Sequence, residues 1–375
     1  MSFNDVLSRI DIDFVNDKLN SITSNDIEEI INRNSFSFSD FLYLASKPAE
    51  NFLEEMAKKA RRLTLQHFGR TISLYIPLYL SNYCLNSCIY CGFRHDNDIP
   101  RKTLGLPEIE REMQLIAEKG FTQILLLTGE HPHEAPLSYL VEAVKLAKKY
   151  FALVTIEIYP LDYQGYRALH EAGVDGITLY QETYDRKVYS EMHGTGPKSD
   201  YLFRLDAIER SAKVGIRNIG IGILLGLSDF RLDAYLLACH AVYLLKHYWQ
   251  SFLSISFPRL KEIPGGLNIP YIVTDRNLTQ LILAFRLVFP EIGLVISTRE
   301  SAELRDNLLP LGITRISAGS HTEPGGYSAP DIKSAQFYVE DRRSPMEVVS
   351  KIKSIGYDPV WLDWSSEFSS KDRQD

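Results

Sequence analysis

The sequence predicts an α/β fold: a (β/α)8 TIM-type barrel with a helical N-terminal extension and a short C-terminal tail. Three observations carry that expectation. From about residue 71, short apolar runs alternate with longer amphipathic segments, eight of each. Glycines punctuate the helix-to-strand turns at Gly120, Gly173, Gly215 and Gly312. A length of 375 residues with 45% hydrophobic content suits one large barrel with extensions. An open doubly wound sheet is the other arrangement compatible with the alternation.

Taken in chain order, residues 1–70 form the helical extension. Helix-like apolar spacing covers 4–19, 24–32, 37–45 and 48–68, with Ser, Asp or Asn near several starts. Residues 71–355 form the barrel. Strands are expected at 72–80, 121–127, 153–159, 176–180, 217–225, 251–257, 292–297 and 313–317. Helices are expected near 107–119, 136–150, 162–172, 200–214, 230–248, 274–288, 300–306 and 344–355. Residues 356–375 form the tail, polar and frayed from about Ser365.

A barrel of this kind places its chemistry at the C-terminal ends of its strands. Three of the four cysteines follow the first strand directly: Cys84, Cys88 and Cys91, spaced Cys-x3-Cys-x2-Cys. Three thiolates on one loop suit a soft metal centre and leave a coordination position open. Two readings share that pattern. His95 completes a Cys3His structural zinc site. Alternatively, the thiolates hold a four-iron cluster with one iron free. Cys239 lies on an apolar helical stripe and reads as core.

Further candidates lie at later strand ends. In Thr128-Gly129-Glu130, Gly129 permits close backbone approach and Glu130 offers an acceptor. Glu157 sits in an otherwise apolar strand, where a carboxylate needs a partner. Arg299, after the seventh strand, offers a planar fork suited to a carboxylate, although Glu300 and Glu303 are alternative partners, whereas Arg204 falls within the 200–214 helix, where a surface arginine is the other reading. Ser317 and Ser320 are hydrogen-bonding groups or turn formers. Gln181 and Glu182 are pocket-wall candidates, Tyr180 and Tyr184 read as packing at the barrel mouth, and His131 and His133 read as solvated loop residues.

Composition excludes several classes. A net charge of -7 gives no basic footprint for nucleic acid. No apolar run is long enough to span a bilayer, and the N-terminal residues lack the pattern of a signal peptide. The clustered cysteines are not a disulfide framework. The expectation is a cytoplasmic enzyme that binds neither nucleic acid nor membrane.

The cysteine spacing, set after the first barrel strand, resembles the radical S-adenosylmethionine (SAM) superfamily. That resemblance implies a [4Fe–4S] cluster on Cys84, Cys88 and Cys91, with SAM chelating the free iron. It places Tyr90 near adenine, Gly129 and Glu130 at the SAM amino group, Glu157 at the ribose or amine, and Arg204 at the carboxylate. Thr128 stands where a first glycine is usual, and the Gly-rich run 219–227 resembles the segment that packs on adenine. Residues 81–93 with 101–104, 179–184, 257–260, 316–320 and 323–327 are similar to the aromatic amino acid lyases of the superfamily. The tyrosine lyases of thiamine thiazole biosynthesis match best.

This family resemblance implies cleavage of the Cα–Cβ bond of L-tyrosine to 2-iminoacetate and p-cresol. Arg299, Ser317 and Ser320 would hold the substrate. A thiazole synthase would take the imine, and a reduced flavodoxin- or ferredoxin-type protein would supply electrons. The tyrosine lyases of hydrogenase cofactor maturation share much of the pattern but carry a second cysteine-bound cluster in a C-terminal extension. Here no cysteine follows Cys239. The chain departs from the thiamine pattern at Lys261-Glu262-Ile263, where a second basic residue and a proline are expected. A non-catalytic zinc or iron–sulfur scaffold would keep the cysteines without needing Glu130, Glu157 and Arg204 around one cavity.

Overall fold

Strands buried on both faces need near-continuous apolar runs, and the chain supplies them in turn. They are β1 (Thr71–Ser81), β2 (Gln123–Thr128), β3 (Leu153–Glu157), β4 (Gly176–Thr178), β5 (Asn218–Gly222), β6 (Phe252–Ser256), β7 (Gly293–Ile296) and β8 (Arg315–Ser317). A computed structural model describes residues 2–261 and 269–361. Within it the eight strands pair in parallel, each with the next. β1 pairs with β2 through Ile76–Ile124 to Tyr79–Leu127, and with β8 through Ser73–Arg315 to Tyr75–Ser317. That double pairing closes the barrel and excludes the open sheet.

The connecting helices end where the sequence places glycine. Gly173 and Gly215 cap helices Tyr163–Ala172 and Ala207–Val214 in the left-handed region, at φ of 110° and 104°. A side chain there would meet the steric cost that glycine avoids. Gly120 and Gly312 also have positive φ.

Several expected elements are subdivided. The 4–19 segment forms two helices, Phe3–Leu7 and Ile12–Ser21, because Asp11 caps a new start by accepting from the Phe14 N–H. The 37–45 segment opens as the 3-10 turn Phe38–Asp40 before helix Phe41–Ala45. Residues 48–68 open with the 3-10 turn Pro48–Phe52 before helix Leu53–Phe68. The 200–214 segment breaks at Asp206 into helices Tyr201–Leu205 and Ala207–Val214. A further helix, Arg186–Met192, precedes it. The region read as a tail contributes a ninth strand, β9 (Asp358–Val360), parallel to Thr71–Ser73 of β1. The polar stretch from Ser365 and most of residues 261–264 lie outside the described residues.

Side chains from the N-terminal helices, such as Phe3, Phe41 and Met56, join the barrel residues in one apolar core. Two smaller clusters lie at the barrel mouth. Tyr75, Tyr79, Phe93, Leu125 and Leu127 form one; Cys88, Tyr90, Met192, Leu224, Leu227 and Leu260 form the other. Phe93 and Tyr90 therefore anchor the cysteine loop into the mouth. Burying an aromatic ring of this size contributes roughly 2–3 kcal/mol.

Candidate active site

The loop after β1 is held by hydrogen bonds to three later parts of the chain. Backbone N–H groups of Leu85, Ser87, Ile89 and Gly92 donate to the carbonyls of Glu130 (2.9 Å), Thr195 (3.1 Å), Met192 (3.3 Å) and Gln336 (2.9 Å). Arg101 staples the loop from within. Its guanidinium donates to the carbonyls of Asn82 and Phe93 at 2.7 and 2.8 Å, and of Arg94 and Asn97 at 2.6 and 3.1 Å. Two glycines are needed for the fit. A Cβ on Gly129 would stand 2.2 Å from the Tyr83 carbonyl oxygen, and one on Gly92 2.5 Å from that of Ala335.

The loop walls a cavity at the C-terminal end of the barrel. Cys84, Cys88 and Cys91 line it, as do Tyr90, Gly129, Glu130, Glu157 and Arg204. Arg299, Ser317 and Ser320 line the same cavity. All eleven site residues expected from the sequence thus converge on one space. Gln181 does not line it: in the extended segment after β4, Tyr180 and Glu182 face the cavity while the residue between them does not. Tyr184 is also absent from the wall, with its hydroxyl 2.8 Å from His240 Nδ1 in the core. His95 and His133 are exposed, and neither they nor His131 line the cavity.

The local chemistry of each group follows from its neighbours. His193 donates from Nδ1 to the Tyr189 carbonyl (2.7 Å), so its Nε2 accepts from the Tyr90 hydroxyl (2.6 Å). Burial holds His193 neutral by lowering its pKa to about 3. The Tyr90 ring is thereby fixed beside the cysteines. Glu130 accepts from Asn86 Nδ2 at 2.7 Å.

Glu182 has φ of 71°, the one non-glycine residue with positive φ among the described residues. It bridges Lys198 Nζ (2.7 Å) and Arg204 (3.3 Å). Burial raises its pKa, but Lys198 and Arg204 together hold it below the ordinary value. Such backbone strain costs about 1–3 kcal/mol and persists where surroundings over-determine it. Burial, then the Glu182 charge, pushes Glu157 up to about 7.

Arg299 is half-buried as a residue, and desolvation of its guanidinium lowers its pKa. Its guanidinium lies 3.6 Å from the centre of the Phe337 ring, while its Nε has no hydrogen-bond partner. Glu300 pairs with Arg259, with Lys261 at 3.6 Å, and acts on Arg299 only through its charge. Ser317 Oγ accepts from the Thr298 N–H at 3.1 Å. Ser320 Oγ is buried without a partner.

Comparison with known proteins agrees with this geometry. The Radical SAM superfamily model matches residues 78–236, and the Biotin and Thiamin Synthesis associated domain matches residues 256–358. The 2-iminoacetate synthases of Escherichia coli K12 and Salmonella typhimurium are each 42% identical to the chain over 366 residues, covering 97% of both partners. The chain belongs to the 2-iminoacetate synthase family of the radical SAM superfamily. The crystal structure of HydG, a maturase of the [FeFe]-hydrogenase, superposes on it with a TM-score of 0.89 at 34% identity, covering 95% of this chain and 81% of that one. Methylornithine synthase, at 22% identity and a TM-score of 0.70, shares the fold.

Radical SAM enzymes use a [4Fe–4S] cluster with SAM, and the donor set here fits that pair. Three thiols on one wall meet the need for soft ligands. Burial pushes the Cys88 thiol up to about 12, an effect that a bound cationic centre reverses by ionising its ligands. Amide donors face two sulfurs: Asn86 Nδ2 lies 3.6 Å from Cys84 Sγ, and Gln336 Nε2 lies 3.7 Å from Cys91 Sγ. Among the described residues, no three His, Cys, Asp or Glu side chains form a group fit for a single metal ion. With His95 exposed, the Cys3His zinc site has no geometric support.

Sequence reading missed Lys198, Asn86, Gln336 and Phe337, all on the cavity wall or paired across it. They come from irregular segments whose placement depends on distant contacts. Only Asn86, inside the cysteine motif, carried a usable signal.

Proposed function

We propose that this protein is a 2-iminoacetate synthase, cleaving the Cα–Cβ bond of L-tyrosine to 2-iminoacetate and p-cresol for the thiazole moiety of thiamine. One observation carries the reading: the three thiols line one cavity with Arg299, whose buried Nε has no hydrogen-bond partner among the described residues. When bound, the cluster and SAM supply a 5′-deoxyadenosyl radical for hydrogen abstraction. Cys84, Cys88 and Cys91 hold the cluster. Glu130 offers its carboxylate to the SAM amine, and Arg204, anchored on the Tyr180 carbonyl at 2.8 Å, faces the SAM carboxylate. Tyr90 and Leu224 bound the adenine side, and Glu157 faces the ribose or amine.

On the other wall, Arg299 binds the tyrosine carboxylate in a bidentate pairing, and Ser320 donates its free hydroxyl. Ser317 lies beside them with its Oγ already ordered by Thr298. The enclosing tyrosines, Tyr75, Tyr79 and Tyr180, exclude water from the reacting atoms. A thiazole synthase consumes the imine, and a reduced flavodoxin- or ferredoxin-type protein supplies electrons. No described helix is long and apolar enough to cross a membrane, and we place the reaction in the cytoplasm.

Anaerobic reconstitution with iron and sulfide, followed by dithionite, SAM and tyrosine, tests the proposal. The expected products are 5′-deoxyadenosine, p-cresol and glyoxylate, the hydrolysis product of the imine. Deoxyadenosine without p-cresol would remove tyrosine as substrate. Bound zinc with no brown chromophore would remove the radical chemistry altogether.

A further inference from the structure

Gln336 lies in an irregular segment far downstream of the cysteine loop, yet it grips that loop by backbone and side chain. Its carbonyl accepts from the Gly92 N–H at 2.9 Å, and its own N–H donates to the Thr322 carbonyl at 3.0 Å. Its side-chain Oε1 accepts from the Tyr79 hydroxyl at 2.8 Å, and its Nε2 donates to Cys91 Sγ at 3.7 Å. The amide orientation follows from chemistry. Turned over, it would set an oxygen against a thiolate.

The three cysteines are therefore not equivalent. Cys91 receives an amide N–H from Gln336 and Cys84 one from Asn86, whereas no side-chain amide reaches Cys88 among the described residues. An N–H directed at a cluster thiolate stabilises the extra negative charge of the reduced state, and so raises the reduction potential. Tyr79, Gln336 and Cys91 also form a donor chain with one direction, in which each bond polarises the next. The Asn86 amide is shared with Glu130, so Gln336 is the cleaner lever on the cluster.

We propose that Gln336 is a positioning residue that sets the reduction potential of the cluster through Cys91, with Tyr79 polarising its amide. The inference rests on Cys91 being a cluster ligand. The next residue, Phe337, stacks on Arg299. The segment that tunes the cluster thus also forms part of the opposite wall.

The test uses the full chain, reconstituted anaerobically, with iron and sulfide counted and the midpoint potential followed by electron paramagnetic resonance in a mediated titration. Gln336→Leu keeps the volume and removes the donor. It is expected to load iron as the parent does and to titrate at a more negative potential. At a fixed poise its reduced-to-oxidised ratio should fall about tenfold, equivalent to about 59 mV for one electron. Tyr79→Phe, which leaves the backbone clamp in place, should shift the same way by less.

A loaded Gln336→Leu protein with the parent potential overturns the proposal, and a shift in that variant alone overturns the part given to Tyr79. If Gln336→Leu fails to load, Tyr79→Phe decides, and an unshifted potential there overturns the proposal. A purely structural role would lower iron content without moving the potential. Absence of a cluster in the unaltered protein would instead overturn the reading of the cysteines.

Discussion

The two walls of the cavity differ in how completely their polar groups are satisfied. On the cysteine side, Arg101 spreads its guanidinium over four loop carbonyls. Asn86 serves Glu130, Cys84 and the Lys198 N–H together. On the far side, Arg299 Nε and Ser320 Oγ are buried with no partner. An unsatisfied buried polar atom costs about 1–3 kcal/mol. Thr128 Oγ1, beside Gly129, is the counterpart on the cysteine side. On the proposed function, the first wall is mainly a scaffold assembled by folding, whereas the second is completed by what binds. Loss of a group that ties down the backbone of the first wall, as Arg101 does, should therefore appear as lost cluster or stability. Loss from the second should appear as lost substrate affinity.

Substitutions at five positions probe that contrast, from the largest expected effect to the smallest. Cys88→Ser should remove the cluster chromophore and reduce deoxyadenosine formation to background, measured by absorbance and product chromatography. His95→Ala, its control, should leave both unchanged. Arg299→Ala should raise the KM for tyrosine about 10- to 100-fold, the equivalent of one charge-assisted contact. Tyrosine-free cleavage of SAM should persist. Arg299→Lys should recover only part, because an ammonium lacks the planar fork. If both rates fell together with KM unchanged, Arg299 would belong to the scaffold wall.

Arg101→Met removes four charge-assisted hydrogen bonds while keeping the stem. It should destabilise the chain by about 3 kcal/mol and lower iron content, read by denaturation and iron assay. Glu157→Gln tests an anion placed between the walls. Its carboxyl titrates at about 7 in the fold against an ordinary 4.5. The native state therefore holds this proton more tightly than the unfolded chain. Stability attributable to the group is greatest below pH 4.5 and falls as pH rises towards 7. The variant should be more stable than the parent by about 1–3 kcal/mol at pH 8, with little difference at pH 4, measured by chemical denaturation of the metal-free chain.

The sequence made the barrel legible because its signals are local. Apolar runs, amphipathic spacing and glycines at left-handed caps each act over a few residues. The helix Arg186–Met192 was not legible, since seven residues offer too few turns for a periodic signal. The same limit hid the break at Asp11. The cysteine wall was legible through spacing, and Arg299 and Ser320 through their positions after strands. The strained backbone of Glu182 had no local sign: a glutamate at positive φ pairs there with Lys198 and Arg204, which approach from a 3-10 turn and a helix further along the chain. Gln336 was hidden for a related reason. Its meaning depends on Tyr79 and Cys91, and nothing nearby in the chain points to either.

The pairing of β1 with both β8 and β9 also bears on the order in which the molecule assembles. β1 is made early, but two of its three partners are among the last described elements to be synthesised. Such long-range pairings carry a loop-closure penalty and form late. During translation, β1 has only β2 among its strand partners, and the cysteine loop lacks its clamp at Gln336. The thiols therefore emerge from the ribosome before their pocket exists. A nascent chain stalled before β8 would hold all three without that clamp.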